Sequence, residues 1–312
     1  MVLLKGVRKG QPKIGVLGSA NMDIVIRADN LPSPGETILA KSIKKYPGGK
    51  GANQAVAAAR LGAHVTFFGK VGDDEHGTMI IESLIKNKVN VDMVIKTAEV
   101  PTGTAYVIVA ETGENIILYS PGANNCVDVR YVDMVLDKIL SCDILLLQLE
   151  IPIETIKYVL ENISPAGPCV ILDPAPVKDI SSLPLKYIKI LTPNQTELEA
   201  LTGTADPRKG GHYLLAKGIS NVICKAGADG AWVITEKIVR HIPGYKVSVV
   251  DTTAAGDAFN GALAFGLATG LDLLDSVTLA NAVGALACTR EGAQPSLPFY
   301  KEVVDFLQQR LA

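Results

Sequence analysis

Short apolar runs recur between segments of helical periodicity, and this alternation restricts the fold more than any other feature of the chain. Residues 13–18 (KIGVLG), 65–69 (VTFFG), 143–148 (DILLLQ), 169–172 (CVIL), 187–191 (YIKIL), 221–225 (NVICK) and 231–235 (AWVIT) each read as a strand. Runs this continuous belong to strands covered on both faces. Helical patterns fill the gaps over 51–61, stopped by Gly62, and over 75–88, 129–140, 153–160, 195–201 and 211–217. Three more, at 254–269, 273–289 and 298–309, close the chain. The pattern predicts an α/β fold: a mostly parallel central sheet with helices on both faces. With 312 residues, 48% of them hydrophobic, the chain can bury one large core, and residues 1–312 read as a single domain.

Two stretches break the rhythm. Residues 22–27 and 36–46 alternate apolar and polar side chains around the turn LPSPGE, and 104–110 and 115–120 do so around the hairpin signal ETGEN. Such alternation marks strands with one solvated face. The inserted segments, about 22–46 and 102–120, are expected to pair into a small β-sheet lid over a site; the alternative is a set of extra edge strands.

Several function classes are excluded early. The net charge is −2 with no basic stripe, which argues against nucleic acid and for small-molecule partners. The longest nearly uninterrupted apolar run, residues 261–271, is well short of the ~20 residues of a membrane span. The N-terminal stretch MVLLKGVRKGQPK lacks the order of a secretory signal and reads as a disordered extension, so a cytoplasmic protein is expected. Cys126, Cys142, Cys169, Cys224 and Cys288 are scattered singly, without a CxxC pair, and read as buried free thiols of a reducing compartment. His64, His76, His212 and His241 have no ligand spacing.

Four segments carry candidate chemistry. In DTTAAGDAFNGAL, the residues Ala254, Ala255, Gly256 and Asp257 open a helix with almost no side-chain bulk. The first N–H groups of a helix lack partners and carry partial positive charge, so small residues there suit an anion cradle. Asp257 shares that turn, where the dipole should keep it ionised, and a carboxylate beside an anion hole fits a base aimed at an attacking hydroxyl. An Asp of pKa about 4 cannot deprotonate a free alcohol near the ~15.7 of water, so the proton must move late. The plain alternative is a packed helix start.

In PGGKGANQ, glycines bring backbone close to a partner, and Lys50 and Asn53 stand one turn apart. The segment is not a Walker A loop. In GSANMD, Asn21 and Asp23 follow the first strand without a dinucleotide-binding glycine pattern, and Glu150 follows DILLLQL at the equivalent end of another strand. Carboxylates and carboxamides gathered there suit a polyhydroxylated ligand. In TPNQTELE, Asn194 either caps the next helix or, with Glu197, holds hydrated Mg²⁺ and phosphates. The turn of Lys225, Ala226, Gly227, Ala228, Asp229 and Gly230 is a simple hairpin or one wall of a nucleotide site.

Taken in order, GSANMD, PGGKGANQAVAAARLGA, PGANN, LLLQLE, DPAP, TPNQTELE, VDTTAAGDAFNGAL and TREGAQPS resemble the motifs of the ribokinase-like (PfkB) carbohydrate kinase family, over residues 13 to about 307. The resemblance implies an ATP-dependent, Mg²⁺-requiring kinase acting on a sugar, D-ribose foremost, with a fructokinase, a deoxyribose kinase or a nucleoside kinase as alternatives. A non-catalytic sugar-binding protein is the reading from another class. It implies sugar contacts from Asn21, Asp23, Gly49, Lys50, Asn53 and Glu150, with neighbouring backbone at Ala20, Met22, Gly51 and Ala52. Asp257 becomes the base and residues 254–257 the anion hole.

The same resemblance places ATP against Asn194, Glu197, the turn from Lys225 to Gly230, Gly256 and Asn281. It places a monovalent cation, K⁺, among Asp251, Thr253, Ala287, Arg290, Gly292 and Ser296. It also implies a homodimer formed through the lid. Three positions depart from the pattern: Lys225 where relatives often have Ser or Thr, Asn281 where some have His, and Ala254 where Gly is common.

Overall fold

The computed structural model describes residues 13–311, so the extension expected before residue 13 lies outside the described residues. In chain order the strands are β1 (Lys13–Leu17), β2 (Asn21–Ala28), β3 (Ala40–Gly48), β4 (His64–Gly72), β5 (Val94–Thr97), β6 (Gly103–Ala110), β7 (Asn115–Ser120), β8 (Ile144–Gln148), β9 (Cys169–Asp173), β10 (Ile190–Leu191), β11 (Asn221–Lys225), β12 (Gly230–Thr235) and β13 (Val239–Pro243). The α-helices are α1 (Lys50–Arg60), α2 (Glu75–Lys86), α3 (Val129–Leu140), α4 (Ile153–Asn162), α5 (Gln195–Thr202), α6 (Pro207–Ala216), α7 (Ala255–Ala268), α8 (Leu273–Ala287) and α9 (Tyr300–Leu311).

A nine-stranded sheet runs in the order β13-β12-β11-β10-β9-β8-β1-β4-β5. It is parallel from β11 to β5, and β12 and β13 add an antiparallel edge. Successive strand side chains point to opposite faces, and the cores divide accordingly. Ile144 and Leu146 of β8 pack in one core with α1, α7 and α8, while Leu145 and Leu147 pack in the other with α3 and α4. Burying each such side chain contributes ~1.5–3 kcal/mol, so the apolar runs themselves hold the two layers on the sheet. Helix α7 lies directly on α1 because residue 261 is Gly; a Cβ there would sit 2.6 Å from Ala57 Cβ.

The two alternating segments form a separate four-stranded sheet, β3-β2-β6-β7. Pairs β2–β3 and β6–β7 are antiparallel, and parallel β2–β6 pairing joins them. Some expected boundaries move. The strand expected over 36–46 starts at Ala40, and that expected over 187–191 shrinks to Ile190–Leu191 because Leu185–Tyr187 turn as a 3-10 helix. The helix expected from 211 starts four residues earlier, at Pro207, capped by Asp206. Strands β5 and β13 were not expected: the first is only four residues long, and the second carries Arg240 and His241 without apolar alternation. No described helix is long and apolar enough to cross a membrane.

Asp74 ties the small sheet to the main body. It caps α2 through Gly77 N at 2.7 Å and also accepts from Thr102 N at 2.8 Å and Thr102 Oγ1 at 2.6 Å, one residue before β6. Burial pushes its carboxyl up, but these hydrogen bonds prevail and hold it below the usual range. Its stabilising effect is therefore present above the unfolded-state pKa and is lost as pH falls through the lower folded value. Asp74→Ala is expected to lower unfolding free energy by ~1–2 kcal/mol at pH 7, measured by urea titration, with a smaller difference in acid.

Candidate active site

The parallel strands deliver polar residues to one end of the sheet. Gln148 ends β8, Asp173 ends β9 in register with it, and Lys225 ends β11. Helices α1 and α7 begin above them. Asp257, in the first turn of α7, is 6% exposed and accepts from Asn53 Nδ2 at 2.9 Å and Gln54 Nε2 at 3.1 Å. Gln54 Nε2 also donates to Asp173 Oδ2 at 3.0 Å, and Gln54 Oε1 accepts from Gln148 Nε2 at 2.7 Å. Asp173 Oδ1 in turn accepts from Lys225 Nζ at 2.9 Å.

Burial raises the Asp257 pKa to about 6, assisted by the charge of Asp173 and opposed by Lys50, Asn53 and Gln54. Burial thus lifts the carboxyl above its ordinary range, which the helix position alone does not predict, yet leaves it mostly ionised at neutral pH. Ala254 precedes α7 with φ 59°, in the left-handed region, which explains why Gly would be favoured there. Ala255 N is spent on Thr252 O at 3.2 Å, leaving the N–H groups of Ala254, Gly256 and Asp257 as the candidate donors of the cradle.

A second polar group lies beside Asp257. Glu150 Oε2 accepts from Ser19 Oγ in a short contact, from Lys50 N at 3.2 Å and from Asn21 Nδ2 at 3.5 Å. Gly49 makes this packing possible: its φ is +88°, and a Cβ there would lie 2.6 Å from Asn21 N. Burial pushes the Asp23 carboxyl up to about 7, with Glu150 and Asp257 adding to the rise and Lys50 opposing it. Burial alone would discharge Lys50, but Asp257, Asp173, Glu150 and Glu197 outweigh it and hold the ammonium charged. Asn53 Oδ1 is buried without a protein partner, an acceptor facing nothing of its own chain.

The structure thus brings Asn21, Asp23, Gly49, Lys50, Asn53, Glu150 and Asp257 together. The other expected sugar-side residues belong to the framework. Met22 and Ala52 are wholly buried in the hydrophobic core, which limits any ligand contact from them to backbone. Ala20 N is held by Asn124 Oδ1 at 2.9 Å, and Gly51 N and Ala52 N by Ser19.

On the other side of Gly256 opens a cavity of about 520 Å³ whose lining includes Lys225, Gly227, Ala228, Gly230, Gly256 and Asn281. Tyr245, Val249 and Phe259 make much of it apolar. Asn281 spends its amide on Ile242 O and Pro243 O, at 3.1 and 3.2 Å, tying α8 to β13. Ala226 and Asp229 shape the turn instead of lining the cavity, through Ala226 N to Gly230 O and Gly244 N to Asp229 O. Asn194 and Glu197 make a capping box at α5, so the plain capping role holds for Asn194; the pair adjoins the cavity through the bridge between Asn194 and Lys225.

Asp251 joins two loops. Oδ1 accepts from Thr253 N at 2.9 Å and Thr253 Oγ1 at 2.6 Å, and Oδ2 accepts from Gly292 N at 2.9 Å. Burial acts upward on its pKa, but these bonds prevail and keep it low. Ser296 Oγ donates to Ala293 O at 2.8 Å, Ala287 O accepts from Arg290 N at 3.4 Å, and the Arg290 guanidinium pairs with Glu302. No cluster of three or more His, Cys, Asp or Glu among the described residues could hold a metal. The five cysteines are unpaired, but only Cys224 is fully buried; the others are half-exposed, which corrects the expectation of buried thiols.

Gln54, Gln148, Asp173 and Asn124 escaped the sequence reading although the motifs PGGKGANQ, LLLQLE, DPAP and PGANN contain them. So did Tyr119, whose hydroxyl lies 3.5 Å from Asn124 Nδ2 and whose phenol is pushed up by burial and then by Glu150.

The family model for pfkB family carbohydrate kinases matches residues 11–299. Ribokinase of Bacillus subtilis is 38% identical over 294 residues, 94% of this chain and 99% of that protein. Deoxyribokinase of Salmonella typhimurium is 34% identical over 302 residues, 94% of this chain and 98% of the relative. The structure of Arabidopsis thaliana ribokinase complexed with ribose and ATP superimposes with a TM-score of 0.90 at 34% identity, covering 96% of this chain and 99% of the other.

Proposed function

Because the chain belongs to the pfkB family of carbohydrate kinases, we propose that it transfers the γ-phosphate of MgATP to the 5-hydroxyl of D-ribose, giving D-ribose 5-phosphate and ADP. One observation carries the assignment. Asp257 is buried between a pocket dense in hydroxyl-binding groups and a cavity with an apolar wall and a small-residue anion cradle. In this reading Asn21, Asp23, Lys50, Asn53 and Glu150 hold the sugar, with Asn53 Oδ1 as a free acceptor. ATP takes the cavity, against Gly227, Ala228, Gly256 and Asn281.

The reaction forms a bond from sugar O5 to the γ-phosphorus and breaks the bond from that phosphorus to the bridging oxygen, which leaves on ADP. Asp257 orients O5 through its fixed carboxylate and takes the proton as the new bond forms. The N–H groups of Ala254, Gly256 and Asp257 steady the charge on the transferring group.

The donor sets fit the two expected ions. Asp251, with the Thr253 hydroxyl bonded to it and Gly292 beside it, offers hard oxygen and a single negative charge that suit K⁺; the proposed site adds the Ala287 and Gly292 carbonyls and the Ser296 hydroxyl to that set. Arg290 would shape this loop through its pair with Glu302. Glu197 beside Asn194 offers the lone carboxylate that a largely water- and phosphate-coordinated Mg²⁺ needs. Mg²⁺, when bound, neutralises phosphate charge.

The four-stranded sheet serves as a lid on a single α/β domain. Its exposed Ile43, Ile116, Ile117 and Leu118 support a homodimer through the lid. Unpaired cysteines support a cytoplasmic setting.

A phosphorylation assay over ribose, 2-deoxyribose, fructose and adenosine checks the substrate. Ribose is expected to give the highest kcat/KM, and equal or better turnover of another acceptor would reassign it. Asp257→Asn should lower kcat by about 10²–10⁴-fold while ribose affinity, read by calorimetry, is kept. The wild-type kcat/KM should fall as pH drops through about 6, where Asp257 protonates and stops accepting. At equal ionic strength KCl should activate over NaCl and choline chloride; equal rates in all three would remove the cation loop from the scheme.

A further inference from the structure

Asp173 is 2% exposed at the end of β9 and has no part in the reaction as written above. Its two oxygens serve different neighbours. Oδ1 accepts from Lys225 Nζ at 2.9 Å, and Oδ2 accepts from the same Gln54 nitrogen that donates to Asp257. A buried ion pair is a weak source of stability compared with apolar packing, so this one calls for another reason.

Its location supplies one. A Cβ built on Gly256 would meet a single heavy atom within 4 Å outside its own turn, Lys225 Nζ at 3.6 Å. The Lys225 side chain is 13% exposed and lines the 520 Å³ cavity. The ammonium therefore stands where the cavity meets the cradle. Positive charge placed there acts on a transferring phosphoryl group, and a fixed partner spares it reorganisation during the reaction.

We propose that Asp173 is a positioning residue for phosphoryl transfer: it holds the Lys225 ammonium at the junction of nucleotide cavity and anion cradle and, through Gln54, sets the Asp257 carboxylate. This rests on the kinase reading above. It also makes Lys225 a catalytic residue. The charged groups facing Asp257 are Lys50, Asp173 and Asp23; those facing Lys225 and Asp173 are Glu197 and Lys50. Among these, Asp173 acts to raise the Asp257 pKa. Removing its charge must move the base toward ionisation at lower pH.

The test uses the full chain with ribose and MgATP. Asp173→Asn can keep an oxygen toward Gln54; it removes the charge and turns an NH2 toward Lys225, which then has no acceptor there. Its acid limb in kcat/KM should shift to lower pH, and kcat at pH 8 should fall about 10-fold or more as Lys225 loses its anchor. Lys225→Met should lower kcat by about 10²-fold, raise KM for ATP and move the acid limb upward, with Lys225→Arg restoring much of the rate. The double variant should be no worse than Lys225→Met alone, because the two residues act as a unit. An acid limb unmoved in Asp173→Asn overturns the inference, whatever the melting temperature does. If that variant does not fold, wild-type kcat in Lys225→Met overturns it, and loss rescued by Arg supports it. Failure of the kinase reading shows separately, as wild-type protein that turns over none of the sugars.

Discussion

Asp257 and Asp173 lie side by side out of water, joined through the one amide of Gln54. Two buried carboxylates this close repel, and each needs donors to stay charged. The donors come from two separate parts of the chain, Asn53 and Gln54 from α1 and Lys225 from the end of β11. Gln148 fixes the sense of the Gln54 amide by donating to Oε1, which turns Nε2 toward both acids. Lys225 neutralises one acid, and Asn53 adds a donor to the other. The arrangement requires β8, β9, β11, α1 and α7 to be in register at one point. Small residues at the contacts follow from it: a Cβ on Gly18 would lie 2.0 Å from Gln148 Oε1.

Much of this architecture was legible in the chain. Continuous apolar runs such as ILLLQ announce a doubly covered parallel sheet, and the cores confirm it by splitting odd from even residues of β8. Strand β13 was hidden because Arg240 and His241 break apolar alternation in a sheet edge that needs little burial. In the site, motifs pointed to the groups that face a ligand but not to those that face each other. Gln54 follows Asn53 directly, yet its meaning depends on Asp257, 203 residues away. The upward shift of the Asp257 pKa is illegible in the sequence for a related reason. Helix position can be read locally, whereas burial belongs to the whole fold.

The two halves of the site differ in how they are held. Asp23, Glu150 and Asn21 gather around backbone that Asn124 and Ser19 bind, so the acceptor pocket is shaped by side chains crossing between the small sheet and the main one. The cavity proposed for the nucleotide rests on α7 and α8, whose Ala258, Ala262, Val277 and Ala280 are fully enclosed. Polar recognition of hydroxyls discriminates strongly against a partner lacking one, and apolar enclosure discriminates weakly. On the proposed assignment, each half has the chemistry its ligand calls for.

Strand β7 contributes Tyr119 to the rim of the acceptor pocket, yet all six of its residues are exposed and neither core includes them. Substitutions at such positions usually change stability by less than about 0.5 kcal/mol. Within one protomer, Tyr119 can therefore vary at little cost to folding, while Ile116, Ile117 and Leu118 stay bound by the proposed dimer contact. The rim at Tyr119 can thus be changed without touching the carboxylate pair beneath, which is built from other strands and helices.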